Sequence, residues 1–393
     1  MSSASPALAH LGSIPISEFL SRYWQREAVF LPQALPDFSS PLSPDELAGL
    51  ALEDEIESRL VIDSDEAPWQ LKTGPCTEQD FTRLPAERWS LLVQAVDHWV
   101  PEVADLLERF RFIPNWRLDD VMVSYAPTGG SVGPHFDYYD VFLVQGAGCR
   151  EWQIGQACDS TSERVSGTEL NILRDFTPSA TYIAKPGDVL YIPPGTAHWG
   201  TSLDDNCMTF SIGFRAPSEA DIIGEFGQYL CTSLSNDIRY RDPQIQATQT
   251  PGAIDAEVVR QIVATLSKHL TSDNVAQWFG RYMTEAKYPQ EQHTTEIDAA
   301  TWQSWLALDV PAEREIASRF CYVNDSAGTT LFVDGQGYPC SSALAEALSN
   351  RRQWALTELD ALCQNDTDTQ LLRQLAEENK IVIDPTEEDP DEL

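Results

Sequence analysis

The chain has 393 residues, 42% of them hydrophobic, with 11 Trp, 15 Phe and 12 Tyr, a composition that excludes a disordered chain and provides for more than one buried core. Its 61 Asp+Glu against 26 Lys+Arg leave a formal charge of −35, which repels phosphate backbones and argues against direct nucleic-acid binding; it suits either a solvated, salt-adapted surface or one that steers in a basic partner. The eight cysteines are scattered with no CxxC pair, as reduced thiols are, and with neither a signal-like N-terminus nor an apolar run of about 18 residues the chain is expected in the cytoplasm and not in a membrane.

Ser43-Pro44-Asp45-Glu46 carries the marks of a helix start, with Ser43 as N-cap, Pro44 in the first turn and Glu46 closing a capping box. A helix is predicted from there through residues 46–60. A second is predicted from Glu87, on the spacing of Leu92, Ala95, Val96 and Trp99, with His98 beside that stripe as a structural side chain. Between about residues 119 and 215 the texture turns to β. VMVSY, FDYYDVFLVQ, EWQIG, TYIA, VLYIP and MTFSIGF are short runs punctuated by Gly, Pro, Asn and Asp, a succession that predicts a sandwich or barrel.

Helices resume after Pro217, where Ser218 is a candidate N-cap three residues before Asp221, and continue through VVRQIVATLSKHL and NVAQWFGRYM. In the first of these runs Ile262, Val263, Leu266 and Leu270 make a stripe that needs a partner surface, inside the chain or beyond it. The region from Thr301 reads as a small α+β domain. It has a helix (TWQSWLALD), two strands (SRFCYVN and TTLFVDG) around an Asp325-Ser326-Ala327-Gly328 turn, and further helices to about Glu378. The acidic tail from Pro385 is expected to fray in solvent.

Two segments carry chemistry. In GGSVGPHFDYYD, His135 and Asp137 stand two residues apart in a strand-like run, which turns both side chains to one face. Downstream, Lys185-Pro186-Gly187-Asp188 makes a turn, VLYIP a strand, and Pro193-Pro194-Gly195-Thr196-Ala197-His198 brings a second histidine to the far end of that strand. Two histidines and one carboxylate leave three adjacent coordination positions open, as non-haem iron(II) requires when a bidentate co-substrate and dioxygen bind side by side. A closed structural zinc site would take a fourth protein ligand. Either histidine alone could equally be a hydrogen-bonded core residue, but two of only six fall within these motifs. The other four, His10, His98, His269 and His293, have no such context.

Gly129 followed by His135-x-Asp137, and the Gly-x5-Pro-x-Gly-x2-His pattern from Gly187 to His198, resemble the two cupin motifs. Asp137 stands where many cupins carry a second histidine, and no glutamate follows at the usual distance, which is the version found in JmjC-type oxygenases. SRYWQREAVFL, SPDELAGLALEDEIESRLV, WSLLVQAVDHW, VGPHFDYYDVFLVQGAG, and GDVLYIPPGTAHWG with SIGFRAP extend the resemblance over most of residues 17–217. They resemble the bacterial ribosomal oxygenases, JmjC proteins that hydroxylate an arginine in the sixteenth protein of the large ribosomal subunit.

That resemblance implies an α+β chain built on a double-stranded β-helix, the jelly-roll or cupin fold of JmjC type, with N-terminal helices, in residues 1–216. A helical homodimerisation region in 217–300 and a small winged-helix-like domain in 301–384 would follow; a winged helix normally suggests DNA, but the acidity argues against that, so this domain is expected to shape or dock the protein substrate. It implies Fe(II) on His135, Asp137 and His198, with 2-oxoglutarate and O2 as co-substrates. The C5 carboxylate of 2-oxoglutarate would lie on Arg150, whose guanidinium offers a matching fork, although surface pairing with Glu151 is the alternative. Ser124 and Thr209 match polar positions that help hold the co-substrate, Thr209 standing where a relative has Asn; either hydroxyl could instead satisfy strand backbone. A basic ribosomal protein is the implied substrate. For its arginine the nearby carboxylates and aromatic faces are Asp119, Asp120, Tyr138, Tyr139 and Asp140, with strand-end capping and barrel packing as the alternatives. Three rivals are a JmjC-type oxygenase on another protein or small molecule, a cupin binding protein without turnover, and a cupin metal isomerase or 2-oxoglutarate-independent dioxygenase, in which Arg150 would have no carboxylate to hold.

Overall fold

The computed structural model describes residues 7–65, 68–242, 247–288 and 294–383, so the acidic tail expected at 385–393 and His293 lie outside the described residues. The chain divides into two compact units, Met1–Ala216 and Pro217–Leu393. Among the described residues no helix is long and apolar enough to cross a membrane.

The first unit opens with the hairpin β1 (His10–Leu11) and β2 (Ile14–Pro15), the short helix α1 (Ile16–Arg22) and strand β3 (Val29–Leu31). Seven residues are too few to hold a helix by themselves. What holds α1 is Phe19, 0% exposed in the main core, whose burial contributes about 2–3 kcal/mol. Helix α2 (Pro44–Leu50) starts as its sequence dictates. The Ser43 hydroxyl accepts from the Glu46 N–H, and the Glu46 carboxylate accepts from the Ser43 N–H at 2.8 Å.

That helix stops at Leu50, and the residues expected to continue it form β4 (Ser58–Ile62), paired with β5 (Gln70–Thr73) on one side. After α3 (Glu78–Thr82), the helix expected from Glu87 is also replaced: WSLLV is β6 (Trp89–Val93), buried at four of its five positions and hydrogen-bonded to β4. Val96–His98 is a single 3-10 turn. In both places the apolar spacing over a few residues fits either structure, and pairing with strands remote in sequence decided the outcome.

Helix α4 (Pro101–Glu108) precedes seven strands: β7 (Leu118–Ala126), β8 (Val141–Ala147), β9 (Arg150–Ala157), β10 (Ala180–Ala184), β11 (Val189–Ile192), β12 (Thr196–Ser202) and β13 (Cys207–Phe214). They complete two antiparallel sheets, one of eight strands in the order β3-β11-β8-β13-β7-β6-β4-β5 and one of three in the order β10-β9-β12. This is a jelly roll whose larger sheet reaches beyond the β region read from the sequence, taking in β3 to β6. On β8, Phe142 and Val144 enter the core shared with Phe19, Phe110 and Phe210, whereas Val141 and Leu143 pack against Trp152 and Ile154 of the smaller sheet. A strand buried on both faces has to be apolar throughout, which explains the unbroken VFLV run.

The second unit begins with α5 (Glu219–Ser233), capped by Ser218 and Asp221 in a capping box, followed by α6 (Ala256–His269), α7 (Ser272–Thr284) and α8 (Ala299–Leu308). Then come β14 (Pro311–Arg314), β15 (Phe320–Asp325), β16 (Gly328–Val333), β17 (Gln336–Cys340), α9 (Ser342–Asn350), β18 (Gln353–Ala355), α10 (Leu356–Leu362), α11 (Asp366–Glu377) and β19 (Ile381–Ile383). Two small sheets, β15-β16-β17 and β18-β14-β19, pack with the helices around Trp302, Leu331, Leu348, Leu356 and Leu372. Helix α6 buries none of its residues, and Val263, Leu266 and Leu270 of the apolar stripe are 55%, 66% and 68% exposed.

Candidate functional site

His135 is held by one antiparallel bridge to His198 rather than by the continuous strand its sequence suggests. Each residue's N–H donates to the other's carbonyl, at 3.0 and 2.8 Å. Residues 136–140 form an irregular segment before β8 starts. Asp137 is fixed through its main chain, its carbonyl accepting the Gly195 N–H at 2.7 Å. Gly195 has φ +72°, a conformation glycine adopts without a steric penalty, so the turn before β12 delivers both that bond and His198. His198 thus belongs to its own strand, β12, and not to the end of β11.

Ligand atoms of His135, Asp137 and His198 lie within 4.8 Å of one another, with His198 Nε2 3.7 Å from Asp137 Oδ2. Both imidazoles use Nδ1 on main-chain carbonyls, His135 on Gly133 at 2.9 Å and His198 on Thr196 at 3.0 Å. A carbonyl only accepts, so Nδ1 carries the proton and Nε2 keeps its lone pair for a metal. Burial, reinforced by neighbouring His135 and partly opposed by Asp137, pushes the His198 pKa down to about 4. The imidazole is therefore neutral at neutral pH, as a ligand must be. Two nitrogens and one carboxylate oxygen converging at the edge of a cavity fit a ferrous ion with open positions.

The cavity has a volume of about 270 Å³ and lies between the two sheets. Arg150, the first residue of β9, lines it and is 4% exposed. Its Nε donates to Cys207 Sγ at 3.3 Å, its guanidinium lies 5.6 Å from the centre of the Trp152 ring, and its Nη2 has no protein partner. The alternative partner, Glu151, instead accepts from Gln153 Nε2 at 3.0 Å. Among the described residues no carboxylate pairs with Arg150. A buried guanidinium left without an anion costs several kcal/mol, so the arrangement calls for an anionic ligand. Ser124 and Thr209 face each other across β7 and β13 and both line the cavity. Thr209 Oγ1 donates to Gln145 Oε1 at 3.0 Å, and Ser124 Oγ bonds the Thr209 carbonyl at 3.5 Å.

Of the five substrate candidates, Tyr139 lines the cavity, and its hydroxyl is pushed well above the usual range by burial and by the negative charge of Asp137 and Asp120. Asp120 is buried, with both carboxylate oxygens accepting from Gln94 Nε2 at 3.1 and 2.9 Å, while Arg59 Nη2 donates to Gln94 Oε1 at 3.1 Å. Asp119 stands 3.9 Å from the Arg215 guanidinium, and Tyr138 is exposed, its ring edge-on to Phe136. Asp140 requires a correction. It is 0% exposed; one oxygen accepts from Tyr191 OH at 2.6 Å, the other from Arg117 Nη2 at 2.9 Å and Gln25 Nε2 at 3.0 Å. No substrate reaches a carboxylate so enclosed; it anchors the segment that carries Asp137.

The cavity also takes in Arg59, Met122, Trp152, Glu169 and Ser211, which sequence reasoning missed. For three of them the signal was present: Met122 stands two residues before Ser124, Trp152 two after Arg150 and Ser211 two after Thr209, and alternate strand residues share a face. Arg59 and Glu169 come from segments remote in sequence and had no local signal.

Residues 105–222 match the family model of the JmjC domain, and residues 264–380 that of the ROXA-like winged helix. The chain is 39% identical over 276 residues to the ribosomal protein uL16 3-hydroxylase of Escherichia coli (strain K12), a match that covers 69% of this chain and 72% of that protein. It is 39% identical over 232 residues to the Haemophilus influenzae protein named "Probable ribosomal oxygenase", covering 59% of this chain and 55% of that one. A crystal structure of E. coli YcfD superposes with a TM-score of 0.86 at 30% identity, covering 96% of this chain and 100% of that chain. A second structure of that ribosomal oxygenase, in complex with cobalt and 2-oxoglutarate, does so with a TM-score of 0.82 at 31% identity, covering 95% and 98%.

Proposed function

This chain belongs to the JmjC-type ribosomal oxygenase family, and from that premise we propose that it hydroxylates an arginine side chain of a basic large-subunit ribosomal protein. It is a 2-oxoglutarate oxygenase with iron(II) as its metal. The observation that carries the site assignment is the buried, anion-less Arg150 in the same cavity as His135, Asp137 and His198. A dicarboxylate with an adjacent oxo group has the chemistry to answer both, and Arg150 would hold its distal carboxylate.

When bound, the iron with 2-oxoglutarate and dioxygen supplies the oxidation of a substrate C–H to C–OH, leaving succinate and carbon dioxide. The protein's residues bind and orient. His135, Asp137 and His198 would hold the metal at the edge of the cavity. Arg150 would hold the distal carboxylate, with Thr209 and Ser124 lining the same cavity, and the Trp152 ring lies beside the guanidinium. Tyr139 and Met122 wall the cavity where an arginine side chain would enter, and the negative charge of Asp120 lies behind Tyr139. A formal charge of −35 favours encounter with a basic partner.

The test is mass spectrometry of ribosomal proteins from cells with and without the gene. One arginine carrying an added oxygen only when the enzyme is present is the expected result; modification of a different residue type, or of no ribosomal protein, refutes the substrate. An Asp137→Ala protein that stays folded and loses succinate formation supports the ligand set, and retained turnover overturns it.

We also propose that the protein works in the cytoplasm as a homodimer through its helical region, with the winged-helix unit docking the protein substrate rather than nucleic acid. The exposed stripe of Ile262, Val263, Leu266 and Leu270 supports the dimer. Light scattering on Leu266→Glu checks it: the wild type should measure as two chains and the variant as one.

A further inference from the structure

Arg150 is held from behind by a thiol. Cys207, 0% exposed, receives two N–H donors on its sulfur, Arg150 Nε at 3.3 Å and Gln145 Nε2 at 3.4 Å. Gln145 is itself fully buried; its Nε2 also donates to the Ala147 carbonyl at 2.6 Å, and its Oε1 accepts from Thr209 Oγ1. A string of contacts, Thr209 to Gln145 to Cys207 to Arg150, therefore ties β13, β8 and β9 together at the guanidinium. With Nε engaged by the sulfur and Trp152 alongside, the rigid fork has little freedom to turn, and Nη2 is left unpartnered in a buried position.

The choice of acceptor matters. A carboxylate at position 207 would orient the guanidinium equally well but would neutralise it and compete with an incoming dicarboxylate. A thiol sulfur accepts weakly and brings no charge. It orients Arg150 and leaves its charge for the ligand.

We propose that Cys207 is a positioning residue that sets the Arg150 guanidinium for the distal carboxylate of 2-oxoglutarate. The proposal rests on the assignment of Arg150 as carboxylate holder, and its test separates the two. Calorimetry on the metal-loaded full chain measures binding of 2-oxoglutarate and of 2-oxobutyrate, which keeps the oxo acid but lacks the distal carboxylate. Cys207→Ala should raise the Kd for 2-oxoglutarate about tenfold, the worth of one hydrogen bond to a charged group, and leave 2-oxobutyrate unchanged. Cys207→Ser, which restores an acceptor, should recover most of that loss and remains informative should the alanine variant fold poorly.

In an Arg150→Ala background Cys207→Ala should add nothing further. Equal weakening of both oxo acids, an unchanged Kd for 2-oxoglutarate in Cys207→Ala, or additive losses in the double variant overturns the positioning role. An Arg150→Ala protein that binds 2-oxoglutarate as tightly as the wild type removes the underlying assignment instead.

Discussion

Asp140→Ala removes a carboxylate that is 0% exposed and accepts three hydrogen bonds. Arg117, its ion-pair partner at 2.9 Å with a side chain only 15% exposed, would be left as a nearly buried cation. Breaking such a pair by deleting one member costs about 3–5 kcal/mol. The lower end applies here, because Arg117 keeps its contacts with the rings of Trp24 and Trp116. The Tyr191 hydroxyl still accepts from the Gln25 N–H at 2.7 Å but loses the acceptor for its own proton, adding about 1 kcal/mol. A loss of about 4 kcal/mol lowers the melting temperature of a unit this size by roughly 8–16 °C.

Differential scanning calorimetry should show that drop in the transition of the first unit, with about half of it for Asp140→Asn, which keeps one acceptor oxygen. Iron affinity should fall as well, because the segment that Asp140 anchors carries Asp137. A transition within about 2 °C of the wild type would refute the enclosed network. A stable variant with a raised KM for the protein substrate would restore Asp140 to the substrate surface.

Gly200→Ala places a Cβ 2.5–2.8 Å from ring atoms of Trp152. It should cost about 1–3 kcal/mol and weaken 2-oxoglutarate binding by displacing the ring beside Arg150; unchanged melting and binding would mean that Trp152 can move away freely. His198, with its pKa lowered to about 4 from an unfolded value of 6.5, binds its proton later in the folded than in the unfolded chain. Its contribution to the stability of metal-free protein is present above 6.5 and is lost as pH falls towards 4. Urea titrations at pH 7 and pH 5 should show a smaller decline for His198→Gln than for the wild type; equal declines refute the shift. Leu372→Ala, at a fully buried position of the second unit, should destabilise that unit by about 2–5 kcal/mol. It should leave 2-oxoglutarate binding intact, because every cavity-lining residue belongs to the first unit; calorimetric melting and binding titrations check both.

The motifs around the metal were legible because their chemistry is local. His135-x-Asp137 and the Gly195 turn before His198 place ligands through spacing of two to three residues and one glycine conformation. The caps at Ser43 and Ser218 involve side chains three residues apart, and both form as read. Arg150 was found through resemblance and the guanidinium fork, and only its burial and missing anion give it a physical reason. Periodicity misled at residues 58–62 and 89–93. Runs of five residues satisfy a helix and a strand alike, and their pairing partners lie tens of residues away.

Asp137 and Asp140 show where the boundary falls. By sequence the His135-x-Asp137 spacing marks Asp137 as the ligand, but nothing local separates a substrate-facing carboxylate from a buried anchor at Asp140. The difference comes from Gln25, Arg117 and Tyr191, which arrive from three distant segments to enclose Asp140, whereas Asp137, held through its main chain by Gly195, lines the cavity. The sequence by itself determined the ligand types, their spacing and the family. Tertiary structure decided which polar groups are enclosed and which are left with unmet valence, including Arg150 and its thiol partner, because burial is a property of contacts between residues the chain keeps far apart.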